Sequence, residues 1–284
     1  MMTDILNRLY QLGFDRVSVL DGRKAGTGRN RLILAFMSYR AASGDAGGAV
    51  IHPYYPVSQQ AYYAARKFAE ECRSLGTDMI LSNQIHIKSV LDHLPFLERG
   101  RNTLSYLSPF GSRFHIQVLT SDELFPVTDE LTEEPHPVSC GNCRACARAC
   151  PGGAITDSGF VKEKCLRYWM LNGQCPPEDI VRRMGNRLIG CDDCEACCPK
   201  NTPASGEPLS MDLPGIMRDG RTDELKKLIG ANYARRQRIL IQCCVLSASM
   251  NRKDLLPELL QISASASGEL KKAADLAVKM LSAP

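Results

Sequence analysis

Eight cysteines in the middle of this 284-residue chain are spaced as ligands, and that spacing constrains the fold more than any other feature. One run reads CGNCRACARACP and a second reads CDDCEACCP; each is closed by a Cys-Pro pair, and a lone cysteine lies between them. The eight residues are Cys140, Cys143, Cys146, Cys150, Cys165, Cys191, Cys194 and Cys198. Thiolates in short loops of this kind bind 4Fe–4S clusters. The spacing therefore predicts two such clusters.

The first run has the CxxCxxCxxxCP spacing of bacterial two-cluster ferredoxins, in which the fourth cysteine of a run binds the other cluster. By this crossing rule the first cluster takes Cys140, Cys143, Cys146 and Cys198. The second cluster takes Cys150, Cys191 and Cys194, and needs one more ligand. We favour Cys165 for that place, with Cys175 and Cys197 as competitors.

Two other uses of the cysteines fit less well. Zinc sites typically use CxxC pairs separated by a spacer, without a third cysteine two residues later. A disulfide framework needs an oxidising compartment, and the N-terminal MMTDILNRLYQLGF lacks a basic region followed by an apolar core. No stretch approaches the roughly 18 apolar residues of a membrane span. We therefore expect the reducing cytoplasm and no membrane association.

The net charge of +4, from 35 basic and 31 acidic residues, is mild and does not demand a nucleic-acid partner. Basic residues nevertheless cluster at Arg182, Arg183 and Arg187, and again at Arg235, Arg236 and Arg238. Such clusters can face phosphates. From the residues alone, solvated helix faces are the interpretation that we favour.

Residues 1–135 are predicted to form an α/β domain. RVSVL and RLILAFMSY indicate strands, the second apolar enough to be buried on both faces. Ser58 is a candidate N-cap for a helix that ends near Leu75 and is closed by Gly76. FHIQVLTSD alternates apolar and polar residues, which predicts a half-exposed strand.

Two further segments follow. Residues 136–203 contain both cysteine runs and form a predicted ferredoxin-like module. Residues 204–284 carry paired amphipathic helices, which suggest a short HEAT-like tail. Cys72, Cys243 and Cys244 lie on apolar helix faces, so we interpret them as packing residues.

With these residues assembled, the chain resembles the epoxyqueuosine reductase family. The resemblance rests on GRNTLSYLSPFGSRFHIQVLTSDELFP (100–126), on CGNCRACARACPGGAI, and on MGNRLIGCDDCEACCPKN (184–201). It runs from the late N-terminal domain through the helical tail.

The resemblance implies a cobalamin held by an α/β domain of nitroreductase-like fold, beside a dicluster module. It implies that electrons from reduced ferredoxin or flavodoxin pass through the clusters to cobalt, which removes oxygen from a modified tRNA nucleoside. The tail would help to hold the tRNA. The eight cysteine ligands carry over residue by residue, and Cys165 matches the lone cysteine that the family places between its runs.

Four residues are candidates for contact with the corrinoid: Gly100, Asn102, Gly111 and Ser112. Glycine allows close backbone approach to a flat ligand, and the Asn and Ser side chains could bond its amide rim. The alternative is that all four are turn residues between strands.

The family's proton donor is an aspartate just before a segment resembling PVLER. LDHLPFLERG (91–100) offers Asp92 in that role. Alignment on the Gly-Arg-Asn turn instead brings IHIK (85–88) to that segment and Leu81 near the acid's position. We favour the second alignment, which leaves the catalytic residue unknown and makes Asp92 a surface carboxylate.

Three functions follow for testing. The first is a cobalamin-dependent reductase of the epoxyqueuosine reductase type, acting on tRNA or a small molecule. The second is an electron-transfer protein without cobalamin that reduces a partner protein. The third is a non-catalytic relative in which the clusters serve folding, since metal binding can supply folding free energy.

Overall fold

The computed structural model describes residues 2–42, 47–203, 205–219 and 222–283, so the predicted first residue of the tail, 204, lies outside the described residues. The strands are β1 (Arg16–Asp21), β2 (Arg31–Ser38), β3 (Ala49–Ile51), β4 (Ile80–Leu81), β5 (Leu97–Arg99), β6 (Ser105–Leu107), β7 (Phe114–Ser121), β8 (Ile155–Thr156), β9 (Gly159–Phe160), β10 (Arg187–Ile189) and β11 (Leu209–Met211). The α-helices are α1 (Met2–Gln11), α2 (Tyr54–Ser74), α3 (Ile87–Leu91), α4 (Ala145–Ala149), α5 (Leu166–Asn172), α6 (Glu178–Val181), α7 (Asp193–Ala196), α8 (Leu213–Asp219), α9 (Thr222–Ile229), α10 (Arg236–Ser249), α11 (Leu256–Ser265) and α12 (Gly268–Ser282).

The chain divides into two compact units that do not follow sequence order. Unit 1 consists of Met1–Tyr39, Val57–Cys143 and Pro199–Thr202. Unit 2 consists of Arg40–Pro56, Arg144–Cys198 and Pro203–Pro284. Each unit is built from separate stretches of chain, and the three-segment division at 135/136 and 203/204 stays a prediction.

Unit 1 contains a four-stranded antiparallel sheet in the order β1-β2-β7-β4. Successive side chains of β2 point to opposite faces, as a pleated strand requires. Its buried residues accordingly divide between two cores: Ile33, Ala35 and Met37 belong to one, and Leu32, Leu34 and Phe36 to the other. The prediction that this strand is buried on both faces is confirmed.

The two cores of unit 1 use different covering elements. α1 and α2 contribute Leu9, Phe68 and Cys72 to the first. α3 and the β5-β6 hairpin contribute Leu91 and Leu107 to the second. Cys72 is fully enclosed, which confirms its interpretation as a packing residue.

The start of α2 differs from the prediction. The helix begins at Tyr54, and Ser58 lies buried within it instead of capping it. The Tyr54 N–H donates to His52 Nδ1 at 3.1 Å, and Pro56 falls in the first turn, where its missing N–H costs nothing. The predicted end is correct, because Gly76 follows the helix with φ +76°.

The prediction for β7 was half right. His115, Ile116 and Gln117 are partly exposed, but the strand is buried on both faces from Val118 to Ser121. The sheet is covered on both faces at these residues, because Leu119 belongs to one core of unit 1 and Val118 to the other.

Unit 2 contains a three-stranded sheet in the order β10-β3-β11, with β10 parallel and β11 antiparallel to β3. A single hydrophobic core joins the cysteine-bearing stretch to the helices near the C-terminus. It includes Leu166, Met170 and Leu188 from the former and Ile239 and Leu281 from the latter.

The helices α9 to α12 lie where the sequence predicted helices in the tail. Cys243 and Cys244, in the middle of α10, are fully buried in the unit 2 core, so the prediction that they pack is confirmed. Among the described residues, no helix combines the length and the hydropathy needed to cross a bilayer.

Candidate iron–sulfur centre

The first cysteine run leaves its helix at a defined point. Cys146 is carried by α4, and Cys150 directly follows the last residue of this helix. Cys150 is extended, with φ −67° and ψ 112°, because Pro151 disfavours a helical conformation in the residue before it. The Cys150 Sγ accepts a hydrogen bond from the Ala154 N–H at 3.2 Å. The Cys-Pro pair thus turns this thiol out of the helix and toward a backbone donor.

Gly152 allows the loop after Cys150 to lie close to Cys165, the next predicted ligand. A Cβ placed on this residue would lie 1.8 Å from the Lys164 carbonyl oxygen, a distance that no side chain tolerates. Only glycine therefore permits the loop after Cys150 to lie against the backbone that leads into Cys165. Cys165 is itself extended and immediately precedes α5.

The second cysteine run supplies the centre of the group. α7 carries Cys194 and packs against α4. Burial raises the pKa of Cys194 to about 12, and Cys150, Cys165 and Cys146 lie near enough to raise it further. The structure therefore gathers around Cys194 thiols from both runs and from the lone cysteine. A thiol with such a pKa must lose its proton when a metal cluster binds.

The flanks of α7 place the remaining cysteines of this run. The Cys191 Sγ donates to Asp193 Oδ2 at 3.0 Å, and burial followed by this hydrogen bond raises the pKa of Cys191. Arg187 pairs with Asp193 at 3.0 Å. The Cys198 N–H donates to the Glu195 carbonyl oxygen at 3.1 Å.

Two buried side chains support this run and were not predicted. His52 and Glu195 are both nearly enclosed, and His52 Nε2 lies 3.9 Å from Glu195 Oε1. A Cβ on Gly190 would lie 2.4 Å from the His52 Cβ, so glycine is required directly before Cys191. The contact joins residues 138 positions apart in sequence, and no local pattern could have indicated it.

Cys140 and Cys143 belong to unit 1. The Arg101 N–H donates to Cys140 Sγ at 3.3 Å, and its guanidinium donates to the Gly141 carbonyl oxygen at 3.2 Å. The Cys143 N–H donates to the Cys140 carbonyl oxygen at 2.9 Å. Arg101 thus fixes the start of the first run at two points.

The competitor Cys175 lies in different surroundings. Its N–H donates to Glu269 Oε2 at 2.9 Å, and burial, followed by Glu269, raises its pKa to about 11. It also contributes to the raised pKa of Cys244 in α10. Among the described contacts, none joins Cys175 to the group around Cys194, which favours Cys165 as the lone ligand. The other competitor, Cys197, ends α7.

The donor set fits iron–sulfur clusters. All thirteen cysteines lie within the described ranges, and none is in a disulfide. In the same ranges, no group of three or more His, Cys, Asp or Glu side chains is arranged around a single metal ion. Thiolates are the ligands that 4Fe–4S clusters use, and the thiols around Cys194 can supply them.

The four candidate corrinoid residues occupy two ends of the β5-β6 hairpin in unit 1. At the turn, Asn102 is buried and its Nδ2 donates to the Tyr106 hydroxyl at 3.0 Å. A Cβ on Gly100 would lie 2.5 Å from Asn102 Oδ1 and from a Tyr106 ring carbon. Gly100 is therefore explained by close packing of the protein against itself.

At the other end of the hairpin, Gly111 has φ +64° and its carbonyl oxygen accepts from the Leu107 N–H at 2.8 Å. The Ser112 N–H donates to Asn201 Oδ1 at 2.8 Å, and a Cβ on Gly111 would meet the same oxygen at 1.9 Å. All four candidates thus contact protein groups, and their contact with a corrinoid stays a prediction.

Asp92 follows the last residue of α3, with its side chain 23% exposed. Its Oδ2 accepts from Arg99 Nη1 at 2.8 Å. Leu81, the alternative occupant of the acid's position, lies in the edge strand β4. Asp92 is therefore an ion-paired carboxylate at a helix end.

The chain is similar in sequence to a cluster-binding domain and to several epoxyqueuosine reductases. A family model described as a 4Fe-4S double cluster binding domain matches residues 139–201. The epoxyqueuosine reductase of Aliivibrio fischeri is 33% identical over 134 residues, which cover 43% of this chain and 35% of that protein. The corresponding protein of Vibrio cholerae is 36% identical over 125 residues, covering 39% of this chain and 32% of that protein. The chain thus spans about a third of the length of the curated relatives that it matches.

Solved structures extend the similarity to the whole fold. The epoxyqueuosine reductase of Bacillus subtilis, with its catalytic loop swung out of the active site, has a TM-score of 0.74 at 15% identity, and the match covers 99% of this chain and 90% of that one. An epoxyqueuosine reductase crystallised with an epoxyqueuosine-modified tRNA-Tyr stem loop has a TM-score of 0.73 at 15% identity and the same coverage. The chain therefore carries a 4Fe–4S double cluster domain within a mixed α/β fold that it shares with the epoxyqueuosine reductases, and its resemblance to that family is confirmed.

Proposed function

We propose that this chain is an iron–sulfur oxidoreductase of the epoxyqueuosine reductase type. In this proposal two 4Fe–4S clusters pass electrons to a cobalamin, which reduces a tRNA nucleoside or a small-molecule substrate. The observation that carries it is the packing of α4, which carries Cys146, against α7, which carries Cys194, with Cys150 and Cys165 near enough to raise the pKa of Cys194. The fold similarity, which covers 99% of the chain, supports it.

The proposed ligands of the first cluster are Cys140, Cys143, Cys146 and Cys198. Those of the second are Cys150, Cys165, Cys191 and Cys194. When bound, such clusters supply one-electron transfer at potentials set by their surroundings, including hydrogen bonds to sulfur. The chain offers such donors at the Ala154 N–H toward Cys150 and at the Arg101 N–H toward Cys140. Their role is to stabilise the anionic form of each thiolate.

The cobalamin is proposed from the family resemblance, with unit 1 as a nitroreductase-like domain. The side chains of Asn102 and Ser112 are directed at protein groups, and Gly100 and Gly111 accommodate neighbouring side chains. These four residues therefore do not form an open cradle for a corrinoid. Binding of the corrinoid is accordingly the first property to measure.

The test is an anaerobic optical titration of the cluster-loaded protein with cobalamin, before and after addition of dithionite. We expect a shift of the corrinoid spectrum on binding and a further change on reduction through the clusters. Protein without clusters, treated identically, is the control for direct reduction by dithionite.

The alternative function is electron transfer to a partner protein without cobalamin. It is favoured by the observation that the four candidate corrinoid residues already contact other protein groups. These residues are Gly100, Asn102, Gly111 and Ser112. Reducible clusters together with an unchanged corrinoid spectrum would replace the proposed function by this one. Clusters that cannot be reduced would contradict both the reductase function and the electron-transfer function.

For tRNA, we propose that the HEAT-like tail contributes Arg235, Arg236 and Arg238. Arg235 and Arg236 are exposed at the start of α10, and Arg235 and Arg238 contact Asn232 at 3.2 and 2.9 Å. A structural neighbour holds a tRNA stem loop, which supports RNA as the substrate class. Cations placed against phosphates make binding salt-dependent because counterions are released.

Replacing Arg235, Arg236 and Arg238 with alanine is expected to weaken binding of a tRNA stem loop about tenfold or more. The slope of log K against log salt should become shallower by roughly one for each phosphate that is no longer neutralised. Fluorescence anisotropy over a salt series measures both. The matched control replaces three exposed cations of α2, Arg66, Lys67 and Arg73, and should bind as the unmodified protein does. Equal effects of the two triple variants would contradict the assignment.

We also propose the reducing cytoplasm as the compartment and reduced ferredoxin or flavodoxin as the donor class. Thiol ligands and low-potential clusters both require a reducing environment. These proposals rest on the chemistry of the site.

A further inference from the structure

Positive charge is concentrated in the part of unit 2 that begins directly after Cys143. Residues 144–168 contain five cations and two carboxylates, a net charge of +3, whereas the whole chain carries +4. The cations are Arg144, Arg148, Lys162, Lys164 and Arg167; the carboxylates are Asp157 and Glu163. The second run, 191–198, has three carboxylates and no cation. The basic charge therefore belongs to residues 144–168 and not to the second cysteine run.

Two of these cations are already engaged within the protein. Arg144 forms an ion pair with Asp157. The Arg167 guanidinium lies 4.8 Å from the centre of the Tyr54 ring. Both therefore help to hold the fold, and neither is available to a partner.

The other three cations are exposed. Arg148 and Lys164 make no ion pair with any residue in the described part of the chain. Lys162 lies 3.7 Å from the exposed Glu163 and 5.8 Å from the centre of the Tyr168 ring, and it stays exposed. The phenyl ring of Phe160 is also exposed, at 42%. Three exposed cations and an aromatic side chain thus remain on the surface of this segment.

These side chains are connected to two predicted ligands by short backbone links. Phe160 pairs with Ile155 in the β8-β9 hairpin. The next residue, Val161, donates to the Ala154 carbonyl oxygen at 2.8 Å, and the Ala154 N–H donates to Cys150 Sγ. Lys164 directly precedes Cys165, and its carbonyl oxygen touches the loop at Gly152. Phe160 and Lys164 are therefore joined to Cys150 and Cys165 through adjacent residues and backbone hydrogen bonds, and Arg148 lies two positions before Cys150.

We propose that Arg148, Phe160, Lys162 and Lys164, here called the basic face, form the docking surface for an acidic one-electron carrier protein. The proposal rests on the proposed function, because it names the partner that supplies electrons to the second cluster. With the second cluster bound by Cys150, Cys165, Cys191 and Cys194, the reduced carrier would lose one electron and the cluster would gain it, and no bond would form or break.

The chemistry of the face fits such a partner. Opposite charge on two proteins steers their encounter and raises the association rate by ten- to a thousandfold, with a steep dependence on ionic strength. An exposed aromatic ring inside a charged rim is a typical anchor at the centre of an interface. A carrier seated here would approach two cluster ligands directly, which short-range electron transfer requires.

Cations beside an aromatic ring can also bind single-stranded RNA. Position favours the carrier instead, since Lys164 adjoins Cys165 and Phe160 is linked through Val161 and Ala154 to Cys150, the proposed ligands of the cluster that an electron would enter. RNA binding at the basic face is therefore treated as a competing outcome.

The test uses cluster-loaded protein and reduced flavodoxin as the probe carrier. Stopped-flow absorbance under anaerobic conditions measures flavodoxin oxidation, and calorimetry with oxidised flavodoxin measures affinity. For the triple variant Arg148→Glu, Lys162→Glu, Lys164→Glu we expect the rate at low salt to fall at least tenfold and the affinity to fall with it. The unmodified protein should lose rate as salt is added.

Two controls keep the result specific. The variant Lys67→Glu, Lys227→Glu, Lys253→Glu makes the same change of net charge on exposed residues elsewhere and should react at the unmodified rate. The conservative variant Lys162→Arg, Lys164→Arg should retain the rate, which guards against disturbance of the nearby ligands. Iron content and reduction by dithionite are measured for every variant.

The outcomes separate this proposal from the proposed function. Unchanged flavodoxin kinetics in the triple variant, or no reaction of flavodoxin with the unmodified protein, would overturn the docking surface while dithionite-reducible clusters sustain the proposed function. Loss of stem-loop binding with flavodoxin kinetics intact would assign the face to RNA and also overturn it. Absence of reducible clusters in the unmodified protein would contradict both the docking surface and the proposed function.

Discussion

Replacing Cys165 with serine is expected to lower bound iron and sulfide from about eight atoms of each per chain to about four, the content of one 4Fe–4S cluster. The reason is geometric. Cys165 lies close to Cys194, together with Cys150, and a serine hydroxyl is a poor substitute for a soft thiolate ligand. Iron and acid-labile sulfide analysis of anaerobically reconstituted protein, with electron paramagnetic resonance after reduction, gives the measurement.

Matched variants identify the lone ligand. Cys175→Ser should retain all the iron, because Cys175 is held near Glu269 and Cys244. Cys197→Ser should also retain it, since the crossing rule assigns the Cys-Pro residue, Cys198, to the cluster. If Cys165→Ser kept all its iron while Cys175→Ser or Cys197→Ser lost iron, the cysteine whose replacement lost iron would be the lone ligand instead.

Substituting Gly152 with alanine is expected to abolish the same cluster without touching a thiol. The added Cβ would lie 1.8 Å from the Lys164 carbonyl oxygen, and both partners are backbone, so neither can rotate away. The two chain segments must separate, which moves Cys150 away from Cys165. Overpacking of this kind also costs about 1–3 kcal/mol of folding free energy. Iron content and thermal unfolding measure the two effects.

The neighbouring glycine is the control for Gly152→Ala. Gly153 has φ +63°, and a Cβ there would meet nothing within 4 Å. Asparagine tolerates this left-handed conformation better than other residues with side chains. Gly153→Asn should therefore keep both clusters. Equal loss of iron in the two variants would show that the loop is sensitive to any side chain, against the close approach at Gly152.

The features that could be predicted from sequence are the local ones. Proline restricts the residue before it to an extended conformation, which predicts the point at which Cys150 leaves its helix. The apolar spacing around Cys243 and Cys244 indicates a buried helix, which α10 confirms. In each case the information lies within a few residues of the position it determines.

Long-range contacts set the features that could not be predicted. The helix α2 starts at Tyr54 because His52 accepts a hydrogen bond from it, a capping role that N-cap preferences for Ser, Thr, Asp and Asn do not include. Gly190 is glycine because His52 packs on it. Gly111 likewise accommodates Asn201, so a glycine that the family resemblance assigns to a cofactor also has an intramolecular explanation.

The single core of unit 2 ties the cysteine-bearing stretch to the C-terminal helices. Leu166 and Met170, just after Cys165, share that core with Ile239 and Leu281. A fragment that ends before α9 would expose this apolar surface and lose the support beneath its ligand loops. Oxygen damage to a cluster should conversely loosen α10 and α12, where a protease would report it. The cysteine-bearing stretch and the last 60 or so residues share one core and are expected to fold cooperatively. The cysteine-bearing stretch is therefore not expected to fold as an independent electron-transfer domain.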